Sequence, residues 1–311
     1  MPALPGSWRD AILGHCTVHN HLFSMNSALI SVAELSALMA ADGPPPLVVD
    51  CSFDLADPQA GQRSFEAGHL SGAQYLDLDQ VLSQPPEQRD GLSGRHPLPA
   101  AERLSADLAA VGANDDRLIV AYDASFGVYA ARLWWLARWL GHDRVTLLDG
   151  GIAAWRAAGG AVQTGPAEPV TPGQFNQRSS LTRTVDLAEV RATLGQGRRL
   201  LVDARSPDRF RGENEVLDPI GGHIPGSANR WFRDNLGADG RFKPAAQLQQ
   251  DWLAVMAGRE AAELVQSCGS GVTACHNLLA MAVAGLPGAA LFPGSWSQWC
   301  ARKDAPIAVG N

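Results

Sequence analysis

Several features that would place a protein in a special class are missing from this sequence. No run of apolar residues is long enough to span a membrane, and residues 1–23 lack the basic start and long apolar core of a signal peptide. The five cysteines form no CxxC pair, and five is an odd number in a chain of 311 residues. This usage favours reduced thiols over a disulfide framework and predicts a cytoplasmic protein.

Basic residues are also scarce, which gives a formal net charge of −7. This balance argues against nucleic acid or an anionic membrane as a partner, although a local site can still bind a small anion. No Cys/His spacing resembles a zinc site and no glycine-rich loop fits a nucleotide, so we expect no metal and no cofactor. The content of 46% hydrophobic and 18% charged residues is typical of a globular protein, and the length allows two domains.

One pattern occurs twice in the chain. The first half has the short apolar run Leu47–Asp50 and the second half has Leu200–Asp203, each ending in an acid as a buried parallel strand would. A glycine-histidine turn follows in each half, at residues 68–72 and 222–226, and further strand-like and helix-like segments recur roughly 150 residues apart. The alternation predicts an α/β fold of two tandem domains, each a mainly parallel sheet flanked by helices.

The repeat also suggests domain boundaries. We predict a first domain at residues 25–163, a linker at 164–181 that is rich in Pro, Gly, Thr and Gln, and a second domain at 182–311. A capping box in Ser31–Leu35 marks the start of the first helix. Residues 1–24 fit no element and are interpreted as a loose tail, or as an extension upstream of the true start.

In the second half, a cysteine stands between a predicted strand and a predicted helix. Leu264 and Val265 end a short apolar run, residues 268–271 form a turn with two glycines, and helical spacing begins at Val272. Backbone N–H groups that converge at a helix start favour an anion, so Cys268 is predicted to be a thiolate nucleophile. The alternative is that Cys268 is a small buried residue without a role.

The first half is predicted to build the same loop without the nucleophile. Alignment of Gly127 with Gly271 places Ala124 opposite Cys268. We therefore expect the first domain to supply packing and part of a cleft wall, since clefts between domains often hold sites. A cysteine-dependent phosphatase is excluded because Ala274 stands where such an enzyme needs an arginine.

These motifs resemble the two-domain rhodanese superfamily. The resemblance rests on the two Gly-His-(Leu/Ile)-x-Gly turns and on Cys-Gly-Ser-Gly-Val-Thr at residues 268–273, and it covers the chain from about Ser31 to its end. The loop is similar to that of 3-mercaptopyruvate sulfurtransferases, whereas thiosulfate sulfurtransferases more often carry Cys-Arg-Lys-Gly-Val-Thr. The resemblance implies two tandem rhodanese-like domains, of which the second is catalytic.

The resemblance implies catalytic roles for four residues. Cys268 would take sulfur from a small anionic donor, become a persulfide and pass the sulfur to a thiol acceptor such as thioredoxin or a small thiol, or to cyanide. Ser270, His96 and Asp79 would form a proton relay, which suits an imidazole oriented by a carboxylate. The alternatives are a small loop-lining serine and a solvated loop histidine.

Substrate binding is implied for Arg209, which stands in the family's Arg-Phe-x-Gly context and can hold a carboxylate. The mercaptopyruvate enzymes usually place a second arginine shortly before Gly-His-Ile-Pro-Gly, and this chain has none there; Arg95 and Arg230 are the candidates to replace it. The loop residues implied to surround the substrate are Gly269, Gly271, Val272 and Thr273.

Three functions stay open at this point. The first is a sulfurtransferase that uses 3-mercaptopyruvate, the second is one that uses thiosulfate by the same persulfide, and the third is a non-catalytic rhodanese-like binding module. The uncharged loop and Arg209 favour mercaptopyruvate, because a dianion such as thiosulfate would favour a cationic loop. Retention of Cys268 argues against a binding module, while His69 and His223 recur in both halves and are predicted to be structural.

Overall fold

The computed structural model describes residues 27–310, so the predicted tail at residues 1–24 lies outside the described residues. The strands are β1 Leu29–Ile30, β2 Leu47–Asp50, β3 His69–Leu70, β4 Gln74–Tyr75, β5 Ile119–Tyr122, β6 Val145–Leu148, β7 Val162–Gln163, β8 Arg183–Thr184, β9 Leu200–Asp203, β10 Ala228–Asn229, β11 Leu264–Ser267 and β12 Ala290–Leu291. The helices are α1 Val32–Ala40, α2 Ala60–Ala67, α3 Ala101–Ala110, α4 Val128–Trp139, α5 Gly151–Ala157, α6 Leu187–Thr193, α7 Pro207–Arg211, α8 Ala245–Met256, α9 Thr273–Val283 and α10 Ser295–Cys300. None of these helices is both long and apolar enough to cross a membrane.

Two five-stranded sheets are built on the same plan. The first has the order β1-β6-β5-β2-β4 and the second has the order β8-β12-β11-β9-β10, with parallel pairing throughout. Position by position, β2 corresponds to β9 and β5 to β11. The antiparallel pair of β3 and β7 has its counterpart in a bridge between His223 and Ala308. The predicted α/β fold with an internal repeat is therefore confirmed.

The first helix begins where the sequence predicted. Ser31 is the N-cap of α1, its hydroxyl accepts the Glu34 N–H at 3.2 Å, and the Glu34 carboxylate accepts the Ser31 N–H at 2.8 Å. This reciprocal capping box satisfies two N–H groups that the helix itself leaves free. Residues 164–181 contain no helix or strand. The domain boundaries themselves stay a prediction.

Helices α4 and α9 pack against each other and join the two halves. Both are apolar on nearly every face, as expected for helices that are buried all round. One apolar cluster accordingly continues from Leu133 of α4 to Leu279 of α9. The loops that follow β5 and β11 lead into these two helices, and both loops line a single cavity.

The matched histidines are structural, as predicted. The His69 ring stacks on Phe65 with 3.8 Å between centroids, and its Nδ1 lies 2.8 Å from the Phe65 carbonyl oxygen. In the second half, His223 stacks on Phe210 at 3.7 Å, and its Nδ1 lies 2.9 Å from the Phe210 carbonyl oxygen. The same contact thus stabilises the same turn in both halves.

Candidate active site

The predicted nucleophile is the first residue after strand β11. Cys268 is only 2% exposed, and the N–H groups of Ser270 and Gly271 point at its Sγ from 3.4 and 3.1 Å. Successive N–H groups in a turn of this kind stabilise an anion. Gly271 has φ +78°, and a Cβ there would lie 2.4 Å from the Pro293 carbonyl oxygen, so the turn requires glycine.

Helix α10 supports this loop. The Ser295 hydroxyl accepts the Cys268 N–H at 3.1 Å, although Ser295 adopts φ 53°, which is unfavourable for a residue with a side chain. The N–H groups of Trp296 and Ser297 donate to the carbonyls of Cys268 and Gly269, each at 2.9 Å. These contacts fix the loop in the conformation that directs the Ser270 and Gly271 N–H groups at the Cys268 sulfur.

The other described cysteines are not placed for chemistry. Burial raises the pKa of Cys275 to about 12 and that of Cys300 to about 11, and it raises the pKa of Cys51 well above its usual range. These thiols stay protonated at neutral pH and therefore are weak nucleophiles. Within residues 27–310, Cys268 is the cysteine that lines the cavity.

The three predicted relay residues lie together. His96 Nδ1 lies 2.7 Å from Ser270 Oγ, and His96 Nε2 lies 3.4 Å from Asp79 Oδ1. Burial lowers the pKa of His96 to about 4, so the ring is neutral at pH 7. Burial opposes ionisation of Asp79, but hydrogen bonds from His96 and Arg89 outweigh it and lower its pKa to about 2. Nε2–H consequently points at the carboxylate, and Nδ1 accepts the Ser270 hydroxyl.

Sequence reasoning missed Arg132, a fully buried arginine on α4. Its guanidinium donates to the carbonyls of Gly271 at 3.1 Å, His96 at 3.2 Å and Leu82 at 3.2 Å. Burial lowers its pKa, yet an arginine stays charged at neutral pH, and it makes no ion pair with a carboxylate in the described part of the chain. The only signal in the sequence is an arginine in the middle of a helix whose one other charged residue is Arg138 in its last turn.

Arg209 lies in the cavity wall, with one edge of its guanidinium already occupied. Its Nε donates to Glu215 at 3.2 Å and its Nη2 donates to the two Glu215 oxygens at 2.8 and 2.9 Å. The Glu215 side chain is only 3% exposed, and a Cβ on Gly269 would lie 3.6 Å from Arg209 Nη2. The guanidinium therefore stands beside the Cys268 loop, and Glu215 holds it by its Nε and Nη2.

Three arginines and three acids form a formally neutral network beside the loop. The closest ion pairs are Arg95–Asp218 at 2.7 Å, Arg205–Asp203 at 2.8 Å, Arg209–Glu215 at 2.8 Å and Arg205–Glu215 at 3.3 Å. Glu215 and Asp218 come from the segment in which the sequence lacks the expected second arginine. Of the two candidate replacements, Arg95 lines the cavity, whereas Arg230 pairs with Asp251 and is not part of its wall.

The cavity has a volume of about 460 Å³ and takes its walls from both halves of the chain. The predicted site residues that line it are His96, Arg209, Cys268, Gly269, Ser270, Val272 and Thr273. Asp79 and Gly271 are not part of this lining; Asp79 contacts His96, and the Gly271 N–H points at the Cys268 sulfur. Within residues 27–310, no group of three or more His, Cys, Asp or Glu side chains could hold a metal ion.

The predicted pairing of Ala124 with Cys268 is wrong by one residue. Strand register pairs Asp50 with Tyr122 in the first sheet and Asp203 with Ser267 in the second. The residue after Tyr122 is Asp123, which is therefore the counterpart of Cys268. The first loop is one residue longer between its strand and its glycine, and an alignment through the glycines could not show this.

Comparison with known proteins places this geometry in a wider context. A family model for rhodanese-like domains matches residues 31–158 and again residues 186–302. Each match falls on one half of the repeat, and the second match contains the cysteine loop.

Similar proteins carry sulfurtransferase names. A probable 3-mercaptopyruvate sulfurtransferase of Pseudomonas aeruginosa is 46% identical over 288 residues, which is 92% of this chain and 100% of that protein. A putative thiosulfate sulfurtransferase, SseB, of Mycobacterium tuberculosis is 36% identical over 91% of this chain and 97% of that protein. The solved structure of 3-mercaptopyruvate sulfurtransferase from Leishmania major matches with a TM-score of 0.78 at 27% identity, over 91% of this chain and 76% of that one.

Proposed function

Because this chain belongs to the rhodanese family, we propose that it is a sulfurtransferase that moves sulfur from 3-mercaptopyruvate to a thiol through a persulfide on Cys268. The observation that carries the proposal is the position of the Cys268 sulfur, in a cavity and under two N–H donors. The Ser270 hydroxyl, bonded to His96, lines the same cavity. This arrangement combines a nucleophile, an anion cradle and a proton carrier.

The first step is attack by the Cys268 thiolate on the donor's sulfur. An S–S bond forms, the C–S bond of mercaptopyruvate breaks, and its electron pair leaves on the enolate of pyruvate. The proton that the donor's sulfur carried is then available to that enolate. Pyruvate departs and Cys268 keeps the outer sulfur as an anionic persulfide, which the loop N–H groups stabilise.

The relay residues are proposed to carry that proton. Neutral His96 accepts the Ser270 hydroxyl at Nδ1, so Ser270 can take a proton from the sulfur while it gives its own to the ring. Asp79 stabilises the imidazolium that forms for a short time. The reverse transfer delivers the proton to the enolate carbon.

The donor's carboxylate is proposed to bind Arg209 through the guanidinium edge that Glu215 leaves free. The three acids beside the loop cancel the formal charge of its three arginines. A neutral network beside the loop attracts a dianion there less than a cationic network would, so it favours the monoanion mercaptopyruvate over thiosulfate.

The deciding experiment compares the wild type with Cys268→Ser. We expect pyruvate release from 3-mercaptopyruvate with a thiol acceptor to disappear in the variant, and intact mass after donor treatment to show one added sulfur in the wild type alone. Cys300→Ser is the matched control, because that buried thiol lies outside the cavity. Turnover by Cys268→Ser would reject the persulfide. Thiosulfate-to-cyanide transfer at a rate equal to or above that with mercaptopyruvate would reject the donor.

A further inference from the structure

One arginine in the cavity wall has no acidic partner. Arg95, Arg205 and Arg209 each form an ion pair, whereas Arg233, which also lines the cavity, forms none in the described part of the chain. Its guanidinium instead lies over two aromatic rings, 4.8 Å from the centroid of Phe126 and 5.5 Å from that of Trp231. Stacking of this kind orients a guanidinium and leaves its N–H groups free for an anion.

The aromatic support is held in place by the backbone. Phe126 has φ 63°, which is unfavourable for a residue with a large side chain. Its carbonyl accepts the Nε2–H of the fully buried His276 at 3.1 Å, and burial lowers the pKa of His276 to about 3, so that ring is neutral. Gly240 approaches the Phe126 ring so closely that a Cβ would lie 3.1 Å from it. The ring is therefore fixed, even though it is 47% exposed.

Arg233 lies at the mouth of the cavity and Cys268 lies at its floor. Arg233 is exposed, whereas Cys268 is 2% exposed. The donor has three carbons, and its carboxylate must stay near its sulfur, beside the loop where Arg209 stands. A cavity of about 460 Å³ is large enough for ligands much larger than the three-carbon donor. Room therefore remains between the donor position and the mouth.

We infer that Arg233, supported by Phe126 and Trp231, is an anion subsite that binds the carboxylate of a small thiol acceptor. The inference rests on the proposed function and names the acceptor class for the same cavity. With its carboxylate at the mouth, the acceptor directs its thiolate toward the persulfide at the floor. The thiolate attacks the outer sulfur and forms a new S–S bond. The old S–S bond breaks, and Cys268 leaves as a thiolate while the acceptor leaves as a persulfide.

The test compares two acceptors that differ in charge. Sulfur transfer from saturating 3-mercaptopyruvate is measured with 3-mercaptopropionate, which has a carboxylate, and with 2-mercaptoethanol, which has none. For Arg233→Gln we expect the KM for 3-mercaptopropionate to rise about tenfold, as the loss of a charge-assisted hydrogen bond implies. The KM values for 2-mercaptoethanol and for the donor should change less than about twofold. Arg198→Gln, an exposed arginine outside the cavity, is the control and should change none of them.

Three results would overturn the inference. An equal rise in KM for both thiols would mean that the substitution acts on the structure, and a rise confined to the donor would mean that Arg233 binds mercaptopyruvate. No change for either thiol would mean that the arginine has no role. Failure of the proposed function looks different, because the wild type would then fail to transfer sulfur even to 2-mercaptoethanol.

Discussion

Asp123 occupies in the first half the position that Cys268 occupies in the second, directly after the central strand of the sheet. Its carboxylate accepts four backbone N–H groups, from Ser125 at 2.7 Å, Gly127 at 2.9 Å, Tyr129 at 2.8 Å and Ala130 at 2.9 Å. The first turn therefore already holds an acidic side chain, where the second turn holds the sulfur. This explains why two copies of one loop differ in their chemistry.

Removal of the Asp123 carboxylate should destabilise the protein. In Asp123→Ala, buried N–H groups lose their acceptor, and we expect the free energy of unfolding to fall by about 3 kcal/mol or more. Burial raises the pKa of Asp123, whereas these N–H bonds lower it. Asp123→Asn should lose less unfolding free energy than Asp123→Ala, because the amide keeps one acceptor oxygen. Urea unfolding would measure both. The exposed Asp116→Ala is the control, and equal stability of the two alanine variants would contradict the assignment.

Arg132 should be needed for the rate more than for binding. Arg132→Met breaks the link between the carbonyls of His96 and Gly271, so the relay and the cradle lose their relative position. We expect kcat to fall about 10- to 100-fold with KM changed less than about threefold, since small misplacements of catalytic groups are costly. Arg132→Lys keeps the charge but cannot donate to all three carbonyls, so its kcat should lie between those of the wild type and Arg132→Met.

Arg138→Met is the matched control for Arg132. It lies on the same helix, stacks on Trp134 at 5.3 Å and does not line the cavity. Circular dichroism at the assay temperature would show that each variant is folded. A loss of kcat as large in Arg138→Met as in Arg132→Met would mean that damage to the helix, and not the contact with the loop, lowers the rate.

The repeat made most of the fold predictable, because each half has its own strand and helix periodicity. The central strands Leu47–Asp50 and Leu200–Asp203 have the bounds that the sequence indicated. Short strands such as Gln74–Tyr75 were not foreseen, since two residues carry no periodicity and are fixed only by the neighbouring strand.

The site was predictable only where a motif names the residue. Ser270, His96 and Asp79 came from a resemblance, and only the structure shows that they are in contact. Arg132 and Glu215 could not be found in this way. Their positions depend on which carbonyls and guanidinium groups the packing of two distant segments brings together, and no local pattern encodes that.

His96 should give stability a specific dependence on pH. Burial lowers its folded pKa to about 4 from an ordinary value of 6.5, so the folded state favours the neutral ring. The unfolded chain binds a proton first, and the stabilisation is therefore complete above about pH 6.5 and is lost as the pH falls toward 4. The loss corresponds to roughly 3 kcal/mol. Asp79, with a pKa of about 2, stays ionised throughout this range.

The measurement compares unfolding free energies of the wild type and His96→Gln between about pH 7.5 and pH 4. The advantage of the wild type should shrink as the solution becomes more acidic. His142→Gln is a positive control, because burial also lowers the pKa of His142 and the advantage of the wild type over this variant should shrink in the same direction. A constant difference between wild type and His96→Gln across the range would show that His96 does not titrate as the contacts indicate.

Glu215 should set the preference between donors. Glu215→Gln keeps the size of the side chain but leaves the network beside the loop with one net positive charge, because Arg205 and Arg209 both lose an ionic partner. A dianion gains more from that charge than a monoanion does. We expect the ratio of kcat/KM for thiosulfate to that for mercaptopyruvate to rise about fivefold or more. The control is Glu213→Gln, which removes an acid that is paired with Arg211 on the surface. An unchanged ratio in Glu215→Gln, or the same change in Glu213→Gln, would mean that the neutral network beside the loop does not determine the donor.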